Sequence, residues 1–93
     1  MYLEIVTPEA TLFTGDVVSV SVPGVNGEFE MLNNHAPTVS LLKEGHVKIF
    51  GDDITIEEDV QDKFVKGEKR GMWLPINSGT IELKDNKIIV LAD

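Results

Sequence analysis

The sequence has no cysteine, which excludes disulfide staples and thiolate metal sites. Aromatic residues make up only 6% of its 93 positions, a poor supply for a stacking platform. It has two histidines, His35 and His46. Eight basic residues stand against 16 acidic ones, for a formal net charge of −8. That balance argues against nucleic acid as a partner, because phosphate binding needs basic surface. It equally disfavours unassisted docking on an anionic membrane. No apolar run approaches the ~20 residues of a membrane-spanning helix, so no direct membrane insertion is expected. Met1 leads straight into Tyr2-Leu3-Glu4-Ile5 with neither a basic start nor an apolar core, so no signal peptide is read and the cytoplasm is the expected compartment.

The chain is 42% hydrophobic, which fits one globular domain over residues 1–93. The dominant periodicity is two. Val18, Val20 and Val22 alternate with Ser19 and Ser21, and Ile81 and Leu83 alternate with Thr80, Glu82 and Lys84. Such alternation marks strands with one buried face. Val47-Lys48-Ile49-Phe50 and Ile54-Thr55-Ile56 read the same way. Ile88-Ile89-Val90-Leu91 is continuously apolar, which predicts a strand covered on both faces. Turns are expected at Gly15-Asp16, Pro23-Gly24, Asn26-Gly27, Glu44-Gly45, Gly51-Asp52-Asp53, Ser78-Gly79 and Asp85-Asn86. Two strand ends, around Lys63-Phe64-Val65 and Met72-Trp73-Leu74, are read as joined by the charged turn Lys66-Gly67-Glu68-Lys69-Arg70. No helical periodicity of useful length occurs. The expected class is all-β, a β-sandwich of about eight to ten short strands.

Chemistry is sparse. A catalytic histidine needs a nucleophile and an orienting acid. A hydrolase built on His35 with Glu28 or Glu30 is conceivable, but no local pattern supports it, and His35 reads as a corner residue bonded to nearby backbone. Adjacent acids such as Asp52 with Asp53, or Glu57 with Glu58 and Asp59, point to opposite strand faces and rarely share a site. Calcium among Asp52, Asp53 and Glu57 lacks the loop spacing. Gly24 and Gly27 lack the Gly-Lys-Ser/Thr ending of a phosphate loop, and Glu28 and Glu30 would repel phosphate. No catalytic residue, cofactor, metal or small-molecule substrate is expected. A free-standing ligand- or peptide-binding module is the alternative, and it requires an exposed platform at Trp73, Tyr2 or Phe64. The richest segment is Val22–Pro37, which reads as a shaped surface offered to another protein.

Five pieces in order resemble one family. They are Leu3-Glu4-Ile5-Val6-Thr7-Pro8-Glu9, the aromatic-x-Gly segment Leu12-Phe13-Thr14-Gly15, and Val20-Ser21-Val22-Pro23-Gly24 with Gly27-Glu28. Asn34-His35-Ala36-Pro37 with Leu42 and Gly45 follows, then Ser78-Gly79-Thr80-Ile81-Glu82-Leu83 with Ile89-Val90-Leu91-Ala92-Asp93. Together the chain resembles the N-terminal β-sandwich domain of the epsilon subunit of F-type ATP synthases, called delta in mitochondria. The stretch Gly51–Ile76 is longer and more charged than the family pattern. Typical members also continue past the position of Asp93 into a helical hairpin with ATP-sensing and inhibitory roles. The chain is either a naturally short subunit, which is the expectation, or a trimmed form of a longer one, and those roles are not assigned to it.

The resemblance implies a flattened antiparallel β-sandwich of ten strands on the central stalk, not itself an enzyme. Such a subunit couples the gamma shaft to the c-ring during proton- or sodium-driven ATP synthesis, peripherally on the cytoplasmic face of the cell membrane. Its implied partners are gamma and the c-ring. Glu28, Phe29, Glu30, Met31, Leu32, Asn33, Asn34 and His35 correspond to the c-ring side, where an Arg of the ring loops would give Glu28 a charge-assisted partner. Thr7, Val39, Ser40 and Leu42 correspond to the gamma side. Strand alternation gives Phe29 and Met31 an equal claim to the core.

Overall fold

Alternating side chains and closely spaced turns produce ten strands in the computed structural model, which describes residues 1–67 and 71–93. In chain order they are β1 Tyr2–Val6, β2 Thr11–Asp16, β3 Ser19–Gly24, β4 Gly27–Leu32, β5 Thr38–Leu42, β6 Gly45–Phe50, β7 Val65–Lys66, β8 Met72–Ile76, β9 Gly79–Lys84 and β10 Lys87–Ala92. They form one curled sheet in the order β2-β1-β10-β9-β5-β3-β6-β8-β7, with β4 paired to β3 off this path. The curl brings two halves face to face. One half is β2-β1-β10-β9-β5, here the first sheet; the other is β4-β3-β6-β8-β7, the second sheet. They are joined through the single β3–β5 pairing of Gly24 with Leu42.

The core lies between the halves. Leu3 and Ile5 of β1, Ile88 and Val90 of β10, and Ile81 and Leu83 of β9 point inward from the first sheet. Val20 and Val22 of β3, Met31 of β4, Val47 and Ile49 of β6 and Leu74 of β8 meet them from the second. Each of these positions alternates with a more exposed residue in every strand except β3, as period-two pleating requires.

Several local expectations are corrected. Ladders are antiparallel throughout except β1–β10, which is parallel with Tyr2 opposite Lys87 and Val6 opposite Leu91. A parallel pair needs a long crossover, and here nearly the whole chain supplies it. Val18 lies outside the strand and is exposed, whereas Ser19 and Ser21 are buried. These two small side chains sit between longer cross-strand neighbours, Leu32 and Phe50 for Ser19, Glu30 and Lys48 for Ser21. Gly15-Asp16 and Pro23-Gly24 are not turns but the ends of β2 and β3. A Cβ on Gly24 would lie 2.8 Å from the Phe29 ring, so glycine there permits close packing across the hairpin.

Ile54-Thr55-Ile56 is not a strand. Both edges of β6 are taken by β3 and β8, so these residues cannot fold back to pair with the strand they follow. Ile56 instead packs into the core with Val60 and Phe64. Val60 comes from a short 3-10 helix, Glu58–Lys63, in which Lys63 lies rather than in a strand. The β7–β8 pair forms with Val65 opposite Trp73; the charged turn expected at Lys66–Arg70 falls partly on residues 68–70, outside the described residues. The Asp85-Asn86 hairpin forms as read, with φ of 51° and 63°, the left-handed pair a two-residue turn demands.

Candidate functional site

The outer face of the first sheet carries an exposed apolar patch. Register places Leu41, Thr80, Leu91 and Val6 in one row across β5, β9, β10 and β1. The next row holds Val39, Glu82, Ile89 and Glu4. Val39, Leu41 and Leu91 are 78%, 62% and 52% exposed. The expectation that Ile88–Leu91 is covered on both faces therefore fails for this chain alone. Ile88 and Val90 face the core, while Leu91 faces outward and Ile89 is half-buried. Beside the rows lies an open hollow of about 650 Å³, walled by Val6, Pro8, Val25, Leu41, Thr80 and Leu91. Its far rim is fixed by Ser78, whose hydroxyl donates to the Asp93 carboxylate. Gly79 has no room for a side chain there, because a Cβ would run into the Leu91 carbonyl oxygen. Contiguous exposed apolar surface of this kind marks an interaction site.

The residues read as the gamma side divide between the two faces of β5. Val39 is on the outer face. Leu42 is only 3% exposed and packs in the core, its edge reaching the hollow. Ser40 lies opposite Ile81 on the inward-facing register, half-buried, with its hydroxyl donating to the Leu41 carbonyl at 3.1 Å. Thr7 borders the hollow, and its hydroxyl closes the Thr7–Ala10 turn, donating to the Ala10 carbonyl at 3.0 Å and accepting the Ala10 N–H at 3.2 Å. Consecutive strand residues cannot share a face, so Val39 carries Leu41 with it, not Ser40 and Leu42. Leu41, Leu91 and Val6 were legible from that alternation.

The residues read as the ring side run along β4 and into the corner after it. Glu28, Glu30 and Leu32 are exposed on the outer face of the second sheet. Met31 is 0% exposed, which corrects its reading as a contact residue: it is core. Phe29 is half-buried against Gly24 and the core. Glu28 and the corner lie at opposite ends of β4, separated by about 13 Å of strand between Glu28 and Leu32. Asn33, Asn34 and His35 are exposed in the corner, which turns through a His35 N–H to Leu32 carbonyl bond of 3.1 Å with Asn34 at φ 64°.

Glu28 already has a partner. Lys48 Nζ lies 3.1 Å from its Oε1, and the same ammonium sits 4.5 Å from the centroid of Trp73. His46 covers another part of that indole, with ring centroids 5.6 Å apart. A half-exposed ion pair of this kind contributes about 0–1 kcal/mol; its larger effect is to hold the carboxylate in place. Trp73 is thus capped by its neighbours, Phe64 is in the core and Tyr2 lies on the other sheet. The three aromatics of the ligand-module alternative therefore form no common platform.

No catalytic pairing is assembled by the candidates. The His35 Nδ1–H donates to the Ala36 carbonyl at 2.8 Å, as a backbone-bonded corner histidine does. The Glu28 carboxylate faces Lys48 instead. Among the described residues no three His, Asp or Glu side chains converge as a metal site, those of Asp52, Asp53 and Glu57 included.

Comparison with known proteins adds the family. The family model for the ATP synthase delta/epsilon chain β-sandwich domain matches residues 1–93. The ATP synthase epsilon chain of Campylobacter concisus is 39% identical over 93 residues, covering 100% of this chain and 60% of that one. The epsilon chain of Chlorobium limicola is 33% identical over 91 residues, covering 98% and 86%. This chain thus spans about 60% of the length of its Campylobacter relatives. Among solved structures, the central stalk and c-ring of the Tetrahymena thermophila mitochondrial ATP synthase contains a chain that matches with a TM-score of 0.69 at 16% identity, covering 98% and 61%. A chain of the Euglena gracilis mitochondrial enzyme matches at 0.70 and 15% identity, covering 97% and 48%. At such identities the structural likeness establishes the fold alone. Family model, relatives and ten-stranded fold agree: the chain belongs to the β-sandwich family of ATP synthase delta/epsilon chains.

Proposed function

We propose that this chain is a central-stalk subunit of an F-type ATP synthase that fastens the gamma shaft to the c-ring, without catalysing a reaction itself. The observation that carries the reading is the uncovered apolar face of β5, β9, β10 and β1, with Val39, Leu41 and Leu91 at its centre. Among the described residues no segment packs there, and the resemblance to the epsilon family supplies gamma as the occupant. Glu4 and Glu82 interrupt the apolar rows, so the matching gamma surface combines aliphatic side chains with lysine or arginine. The outer face of β4 and the corner, from Glu28 and Glu30 through Leu32 to Asn33, Asn34 and His35, is the proposed ring contact.

A sandwich suits this task. Close-packed interiors resist deformation, so two surfaces on one core turn together. No helix in the described residues is long and apolar enough to cross a membrane. The proposed location is peripheral, on the cytoplasmic face, through the complex.

Co-purification with gamma and the c-ring tests the reading. The wild-type chain is expected to be retained. Glu28→Arg is expected to reduce retention about tenfold or more, the scale of a lost charged hydrogen bond. It also sets two cations side by side at Lys48, so the melting temperature is recorded alongside. Wild-type chain in the flow-through at micromolar concentration contradicts the proposal.

A further inference from the structure

We propose that Asn86, which belongs to neither surface, positions the ring-facing corner against the shaft-facing sheet. The identity of the two partners rests on the stalk reading above; the clasp is a property of the chain by itself. Three bonds meet at Asn86. Its Oδ1 accepts the N–H of Asn34 at 2.9 Å, and its Nδ2 donates to Asn33 Oδ1 at 2.7 Å. Its backbone carbonyl accepts the N–H of Tyr2 at 3.0 Å. One residue therefore ties the β4–β5 corner, the β9–β10 hairpin and the start of β1, across 52 and 53 residues of sequence on the corner side.

The amide orientation is dictated by chemistry. The Asn34 N–H can only donate, so Oδ1 faces it and Nδ2 is left for the Asn33 oxygen. The backbone supports the same geometry from both sides. Asn34 and Asn86 hold φ of 64° and 63°, a region asparagine tolerates better than most residues.

The clasp matters because, among the described residues, the other hydrogen bonds within the corner are local. His35 N–H bonds Leu32, the His35 ring bonds Ala36, and the Thr38 hydroxyl bonds Ala36. Among the described residues, the side-chain hydrogen bonds that leave the corner all end on Asn86. The corner leaves β4 of the second sheet and enters β5 of the first, and Asn86 pins its middle, Asn33 and Asn34, to the first sheet, whose outer face is the proposed gamma site. An exposed loop held only by local bonds opens at low cost. Asn86 removes that freedom where the proposed ring contact needs a fixed shape, and pre-ordering of a contact loop raises affinity by lowering the ordering cost on binding.

The test compares Asn86→Gly with Asn86→Asp in the full chain. Glycine keeps the left-handed turn and removes both side-chain bonds. Residue-resolved amide exchange is measured on the free chain, and retention on gamma and on the c-ring is measured separately. In Asn86→Gly, exchange at Asn34 is expected to accelerate about five- to tenfold, while Ile88 and Val90 keep their protection. Gamma retention stays at the wild-type level and ring retention falls about tenfold. Asn86→Asp keeps the acceptor for Asn34, and the Asn33 amide can flip to donate, so it restores Asn34 protection and most ring retention.

Unchanged Asn34 exchange in Asn86→Gly overturns the clasp. Lost protection at Ile88 and Val90 as well reduces Asn86 to a structural residue. Lost Asn34 protection with undiminished ring retention overturns the positioning role. Failure of the wild-type chain to bind the ring overturns the stalk reading, and the positioning role with it, while the exchange result still decides whether the clasp exists.

Discussion

Leu41→Asp is expected to weaken binding to gamma by at least about thirtyfold, the effect of losing an interface hot spot. Leu41 stands in the row of Thr80, Leu91 and Val6 and borders the hollow. A carboxylate there would be desolvated on binding with no bonded partner, among neighbours that are largely apolar. The free chain should barely register the change. Leu41 is 62% exposed, and surface substitutions away from caps and cores usually stay within about 0.5 kcal/mol. Titration calorimetry against gamma and a thermal melt on the same preparation separate the two effects. Equal affinity for wild type and variant would remove the apolar face from the account.

Met31→Ala has the opposite signature. Met31 is 0% exposed and lies opposite Val20 on β3. Truncating a buried residue of this size costs about 2–5 kcal/mol, because contacts vanish and a cavity stays. A domain of this length has roughly 5–15 kcal/mol in all. The melting temperature should therefore fall by about 10 °C or more. A variant that melts like wild type yet fails to bind the ring would return Met31 to the surface, where its neighbours Glu30 and Leu32 are. Together the two substitutions are expected to divide the molecule, Leu41→Asp affecting binding and Met31→Ala folding.

Most strands were legible because they repeat a simple rule. Leu3 and Ile5, Val20 and Val22, Ile81 and Leu83 all occupy alternating positions and all are buried. Asp85-Asn86 was legible because few residue pairs adopt two successive left-handed conformations. Residues 54–56 misled for the same local reason. Ile54-Thr55-Ile56 has the strand pattern, but strand formation needs a free edge, and β6 has none to offer. Edge availability is a property of the whole topology and leaves no mark on three residues.

The proposed interaction surfaces were half legible. Apolar character at Val39 and along Ile88–Leu91 was visible, but which face each residue occupies depends on register across four strands. Naming Ser40 and Leu42 with Val39 mixed the two faces of β5. Asn86 was read as a turn residue, and that reading holds. Its bonds to Asn33 and Asn34 were invisible, since nothing in a linear sequence brings position 86 beside position 33.

The most direct test of the stalk account is a cryo-electron microscopy map of the rotary complex assembled with this chain. The account predicts gamma density packed on Val39, Leu41 and Leu91, and ring-loop density along Glu28 to His35. A map in which the outer face of β5 and β10 stays open to solvent would contradict it.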